Sequence, residues 1–129
     1  MVKLSKIMLD TNFLLTMVRY KIHGFEEINA KIPAEFFVLS RVMWEMEMKA
    51  RDDKKIKNEL RIVNAILKAN NVKEIDSRLE SADDELMQLS KDYVVATNDK
   101  ELRERIKSFG GRSIYIRSLS FIETEDIFS

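Results

Sequence analysis

Residues 94–102 read VVATNDKEL: an apolar run stops abruptly at small polar residues, a carboxylate follows, and a charged helical pattern begins. A short unbroken apolar run of this kind fits a strand buried on both faces, as in a parallel sheet. The same form stands near the N-terminus, where KIMLDTNFLL (6–15) runs straight into Asp10. Two strands that each end in a carboxylate suggest a site at one sheet edge. In open α/β sheets, ligands bind beyond the carboxyl ends of the strands.

The rest of the chain repeats the alternation. After Asp10, residues Phe13, Leu14, Met17 and Val18 recur at helical spacing, and GFEEINAKIP (24–33) predicts a helix plus loop. FFVL (36–39) is a second strand. Ser40 is a candidate N-cap for RVMWEMEMKA, with Val42, Met46 and Ala50 on one face and Met43, Trp44 and Met48 read as helix packing. The clearest helix is KIKNELRIVNAILKANN (55–71), where Ile56, Leu60, Val63 and Leu67 share a stripe and Asn70-Asn71 make a stop. VKEID is a third strand, Ser81 caps a helix over ADDELMQLSKD, and YVVAT is a fourth strand. Leu102, Ile106 and Phe109 mark a helix closed by Gly110-Gly111, SIYIRS is a fifth strand, and FIETEDIFS (121–129) reads as a tail. This order predicts one three-layer α/β domain over residues 1–129, with a mainly parallel central sheet of about five strands.

Composition narrows the chemistry. Lysine plus arginine equals aspartate plus glutamate at 22 each, so nucleic-acid binding would need a local basic patch rather than a global field. There is no cysteine, which excludes disulfides, thiol catalysis and thiolate metal sites. One histidine, His23, makes zinc chemistry and a Ser-His-Asp triad poor expectations; next to Gly24 it reads as a surface or turn residue. No apolar run approaches the ~20 residues of a membrane span, and the N-terminus is too soon charged for a signal peptide. A cytoplasmic protein is the expectation.

Four places carry candidate acidic ligands: Asp10, Glu45, the pair Asp83-Asp84, and Asp99. A parallel sheet puts all of them on the same edge. Like charges gathered in a partly desolvated cleft raise each other's pKa, and a cation relieves that. With oxygen donors only, Mg²⁺ or Mn²⁺ is the expected ion. Plainer readings exist for each residue. Asp99 could serve the first turn of its helix, with Asn98 as N-cap and Glu101 completing a capping box, and Asp83 and Asp84 fit the same role after Ser81. Glu45 could be a solvated edge residue, as Glu47 is expected to be. Asp10 is the hardest to explain structurally, since it closes a buried strand. Joint placement favours a site, with Asn98 and Glu101 starting the helix and Asp99 turned toward Asp10. Thr11, Asn12, Thr97 and Asn98 are capping types that can also orient a carboxylate or a bound water. Lys100, Arg103, Arg105, Lys107, Arg112 and Arg117 concentrate positive charge close to Asp99 in sequence, and Arg105 and Lys107 fit a solvated helix face better.

The blocks MLDTNFLL, VLSRVMWEME, ADDELMQLS and YVVATNDKELRERI with SIYIR resemble the PIN domain family, in the expected order over almost the whole chain. The LDTN and VATNDKEL blocks are the more specific. The resemblance implies a compact Rossmann-like fold whose acidic cluster binds Mg²⁺ or Mn²⁺ and cleaves RNA, with metal-binding and catalytic roles for Asp10, Glu45, Asp83 and Asp99. Lys100, Arg103 and Arg112 are then the expected RNA contacts. Asp83 is favoured over Asp84 because Leu86 and Ser90 then fall where the family keeps its helix core. One departure is Leu39, where many relatives carry proline, which makes Glu45 less secure than the aspartates. The ATND wording is closer to the PIN nucleases of small-subunit ribosomal RNA maturation than to VapC-type toxins. A pre-ribosomal partner follows from the first likeness and an antitoxin from the second; PIN domains also often form homodimers. A non-catalytic RNA-binding or scaffolding module and a structure-specific DNA nuclease are the competing expectations.

Overall fold

A computed structural model describes residues 3–117 and 121–123. In chain order the elements are β1 (Ser5–Leu9), α1 (Thr11–Arg19), α2 (Gly24–Lys31), β2 (Ala34–Leu39), α3 (Ser40–Arg51) and α4 (Lys54–Ala69). There follow β3 (Lys73–Ile75), α5 (Ala82–Leu89), β4 (Val94–Ala96), α6 (Lys100–Phe109), β5 (Arg112–Arg117) and β6 (Phe121–Glu123). The sheet order is β3-β2-β1-β4-β5-β6. The first five strands of that order are parallel and β6 pairs antiparallel to β5.

The chain leaves β1 outward to β2 and β3, then crosses back to β4 beside β1 and goes outward the other way. Right-handed crossovers that move in opposite directions place their helices on opposite faces. Accordingly α1, α3 and α4 pack together, and α5 packs on α6. The apolar runs behave as their composition requires: Ile7, Met8 and Leu9 of β1, and Val95 and Ala96 of β4, are wholly buried. The α4 stripe closes on the core through Val63 and Leu67, and Asn70 is its C-cap.

Several local expectations change. The sheet has six strands among the described residues rather than about five, because Phe121–Glu123, read as tail, pairs with β5. Side chains of α2 secure it: Ile122 N donates to Glu27 Oε1 at 2.8 Å, and Lys31 Nζ donates to Ile122 O at 2.9 Å. Ser40 is not the cap of α3. The Ser77 hydroxyl accepts from Arg41 N at 2.9 Å while Ser40 Oγ accepts from Ser77 N at 2.8 Å, so a distant loop supplies the cap. Trp44 does not pack inside the helix layer; it is 49% exposed, with the Arg41 guanidinium over its ring. Ser81 does cap α5, accepting from Asp84 N. Gly110 closes α6 at φ 86°, a left-handed conformation glycine adopts at little cost.

Candidate active site

The switch point of the sheet lies between β1 and β4, the two adjacent strands from which the chain departs in opposite directions. Asp10 stands at the end of β1, and its backbone N–H donates to Ala96 O at 3.0 Å, tying the two strand ends together. Its Oδ1 accepts from Thr11 N at 2.8 Å and its Oδ2 from the Thr97 hydroxyl at 2.7 Å. Burial pushes the Asp10 carboxyl up to about 6; the bonds from Thr97 and Thr11 oppose this, and Asp83 and Glu45 add to it.

The polar residues around Asp10 form one brace. Asn12 Oδ1 accepts from Asn98 N at 2.8 Å, and Thr97 Oγ1 also accepts from Asp99 N at 3.2 Å. Asn98 Oδ1 accepts from Ile116 N at 2.9 Å, which fastens the loop to β5. This corrects the expected division of labour at the start of α6. The N-cap is Asp99, whose Oδ1 accepts from Leu102 N at 3.1 Å, because the Asn98 side chain is committed to the neighbouring strand. Asp99 therefore uses one oxygen as a cap while its charge still acts on Asp83.

Glu45, on α3, is half-buried. Burial raises its pKa, as does Asp83, while Lys49, Arg41 and the Thr11 hydroxyl lower it. The Thr11 hydroxyl is close enough to favour ionised Glu45, yet its buried Oγ1 completes no well-formed hydrogen bond. Asp83, in the first turn of α5, is also raised by burial and then by Asp99, with Arg105 opposing. Asp83 thus feels Asp99 and acts on Asp10 and Glu45, so the four carboxylates share one electrostatic neighbourhood. Among the described residues, no three of them are packed as tightly as a full protein ligand sphere requires. Asp84 differs: it is exposed and pairs with Arg105 Nη2 at 2.7 Å.

The expected RNA contacts separate. Lys100 and Arg103 lie on α6 and, with Lys107, Glu104 and Tyr115, line an open cavity of about 340 Å³; the Arg103 guanidinium stacks 3.7 Å from the Tyr115 ring centre. Arg112 stands elsewhere. It opens β5, in register with Val94, so it lies at the amino edge of the sheet, opposite the acidic end. A parallel crossover returns every strand to the same starting edge, and closeness to Asp99 in sequence is lost there. Arg105 is held by Asp84, and Arg117 Nη1 lies 3.8 Å from Glu123 Oε2.

Two supporting residues escaped the sequence reading. Buried Glu85 accepts from Arg78 N and Leu79 N, setting the loop that leads into α5 and hence the position of Asp83. Its only signal was its place beside Ala82 and Leu86 on the apolar face. Tyr115 alternates outward from the buried Ile114 and Ile116, and nothing in the sequence marked it as the platform for Arg103.

A family model described as a PIN like domain matches residues 7–119. The chain belongs to the PIN-like domain family. Ribonuclease VapC4 of Methanocaldococcus jannaschii is 33% identical over 125 residues, covering 92% of this chain and 95% of that protein. Among solved structures, the PIN domain endonuclease Utp24 superposes with a TM-score of 0.75 at 26% identity, covering 95% of this chain and 92% of that one. A domain of a functionally unknown protein from M. jannaschii superposes with a TM-score of 0.61 at 17% identity, over 88% of this chain and 92% of that domain, a likeness of fold. In this chain Asp10 closes β1 and Asp99 follows β4 at the switch point, with Asp83 of α5 acting on Asp10 and feeling Asp99, and Glu45 of α3 acting on Asp10.

Proposed function

We propose that this PIN-like protein is a divalent-metal-dependent endoribonuclease whose centre comprises Asp10, Glu45, Asp83 and Asp99. The observation that carries the reading is the Asp10 carboxyl buried at the sheet edge, pushed up to about 6 by burial and further by Asp83 and Glu45, although hydrogen bonds from Thr97 and Thr11 favour its ionised form. A cation relieves that strain. The donor set fits a hard one: carboxylates, the buried Thr11 hydroxyl beside Glu45 and no thiolate. The loose arrangement suits Mg²⁺ or Mn²⁺, which take one or two carboxylates and keep several waters. Either ion would supply Lewis acidity at the phosphodiester and an activated water for in-line hydrolysis, leaving a 5′-phosphate and a 3′-hydroxyl.

The chain's own residues do the positioning. Thr97 and Thr11 N fix both oxygens of Asp10, so its orientation is set before substrate arrives. Asp99 and Asp83 would be further ligands of the ion, and Asp84, occupied by Arg105, would serve as an outer acidic neighbour. Lys100 and Arg103 would neutralise the phosphates that flank the cut. Incubation of single-stranded and structured RNA with the protein tests the reading: cleavage with Mn²⁺ and none with EDTA is expected. Cleavage that survives EDTA, or a clear preference for DNA in competition, overturns it.

The likeness to ribonuclease VapC4 favours a second reading of the biology, a toxin restrained by an antitoxin, over a role in ribosomal RNA maturation with a pre-ribosomal partner. Release of ribonuclease activity on removal of a co-purifying protein would support it. A homodimer through the exposed Trp44 face is the proposed self-association. Among the described residues no helix is long and apolar enough to cross a membrane, and a cytoplasmic location is proposed on that basis together with the RNA substrate.

A further inference from the structure

The amino edge of the sheet carries an unusual charge arrangement for a chain with equal numbers of acids and bases. Lys3, Lys6, Lys91 and Arg112 surround an open cleft of about 610 Å³ between the start of β1 and the turn before β4. Asp92 is the one acid on its wall. Some cations elsewhere have counter-ions, as Arg19 has Glu59, Lys73 has Glu35 and Arg105 has Asp84. Among the described residues, none of the four cleft cations makes an ion pair. Lys6 Nζ lies 5.5 Å from the Tyr93 ring and Lys91 Nζ 4.5 Å from the Phe109 ring, contacts that leave the positive charge uncompensated. Four like charges around one concavity repel unless an anion fills it. The cleft is polar and solvated, which suits a phosphate backbone rather than an apolar ligand.

We propose that this cleft is a second RNA-binding site, which grips the phosphate backbone of the substrate at a distance from the cut. The proposal rests on the ribonuclease reading for its ligand. β1 has five residues and β5 six, so the cleft lies on the order of 15–20 Å from the acidic edge. An RNA that engages both must extend several nucleotides beyond the scissile bond. The site therefore selects for length, not for sequence.

The test uses the full chain with Lys3, Lys6, Lys91 and Arg112 all changed to Gln. These side chains are exposed, so thermal melting should match the parent and verify folding; Lys6→Glu alone is the second variant. Binding of a labelled 25-nucleotide single-stranded RNA is measured by anisotropy in EDTA, across salt concentrations. The parent should bind at least tenfold more tightly near 0.1 M salt. Its log-log salt slope should be steeper by about 3, from about 0.7 per lost phosphate contact. With Mn²⁺, KM for the long RNA should rise while kcat for a six-nucleotide RNA stays unchanged. Equal affinity and equal slope for parent and quadruple variant overturn the proposal even if both cleave RNA. Loss of RNA binding in the variant sustains it even if neither protein cleaves, in which case the ribonuclease reading alone fails. Parent binding to poly-glutamate with no difference between the proteins on RNA also overturns it, in favour of an acidic protein partner.

Discussion

The Thr97 hydroxyl donates to Asp10 Oδ2 at 2.7 Å across 87 positions of chain. That one bond joins the two sequence blocks that carry Asp10 and Asp99 of the proposed centre, and it favours the ionised form of a carboxyl that burial pushes up. Thr97→Val removes it and leaves a methyl in its place. The Asp10 pKa should then rise further above about 6, and Mn²⁺ affinity at pH 6.5 should fall roughly tenfold, since binding needs the carboxylate. The gap should close above pH 8, and Thr97→Ser should behave as the parent. Calorimetric titration of Mn²⁺ at several pH values measures this; a gap that does not depend on pH would contradict it.

Asp10 also sets a pH dependence of stability in the metal-free protein. Folded Asp10 keeps its proton up to about pH 6, whereas the unfolded chain releases it near 3.8. Stability from this group is therefore full below pH 4 and lost as pH rises through 6, a cost of about 3 kcal/mol at neutral pH. Asp10→Asn removes that cost, and its amide can still meet the Thr97 hydroxyl. The variant should be more stable than the parent by roughly 1–3 kcal/mol at pH 7.5, and no more stable at pH 4. Urea unfolding measures the difference. Saturating Mn²⁺ should stabilise the parent and not the variant.

The two neighbouring aspartates at the start of α5 should respond differently. Asp83 bears on Asp10 and Glu45 and feels Asp99, while Asp84 is exposed and tied to Arg105. Asp83→Asn should lower kcat by about 100-fold or more, in line with loss of an electrostatic group in a catalytic centre. Asp84→Asn should stay within about fivefold of the parent. Comparable losses in both would place the ligand assignment in error.

Asn12 and Asn98 should act as a structural pair. Asn12 Oδ1 receives Asn98 N, and Asn98 Oδ1 receives Ile116 N. Either change to Ala leaves a part-buried backbone N–H without its partner, at about 1–2 kcal/mol. Denaturation midpoints of the single and double variants should show less than additive loss, because the two bonds brace the same loop.

The parts of the structure that depend on nearby residues could be read from the sequence. The apolar runs of β1 and β4, the stripe of α4 and the carboxylates closing each central strand are local signals. What escaped depends on partners far along the chain. Phe121–Glu123 is a strand because Glu27 and Lys31, some 90 positions earlier, hold it. Asn98 looked like a cap because its true partner, Ile116, lies in another strand. Arg112 looked like a neighbour of Asp99 because sequence distance does not show that a parallel strand restarts at the opposite edge. Glu45 was the weakest of the acidic assignments, yet its titration is tied to Asp83 across two helices.

The central claim is that four carboxylates from α3, α5 and the ends of β1 and β4 act as one metal-dependent centre. Single-turnover cleavage of a labelled single-stranded RNA in Mn²⁺ tests it most directly, using the parent, Asp10→Asn, Glu45→Gln, Asp83→Asn and Asp99→Asn. Each substitution should reduce the rate at least about 100-fold, with losses in pairs far short of additive, as for groups that act as a unit. Asn at position 99 can still cap α6, so its loss would reflect the lost charge rather than the lost fold. Parental rates from Asp10→Asn, or cleavage by the parent that persists in EDTA, would contradict the account.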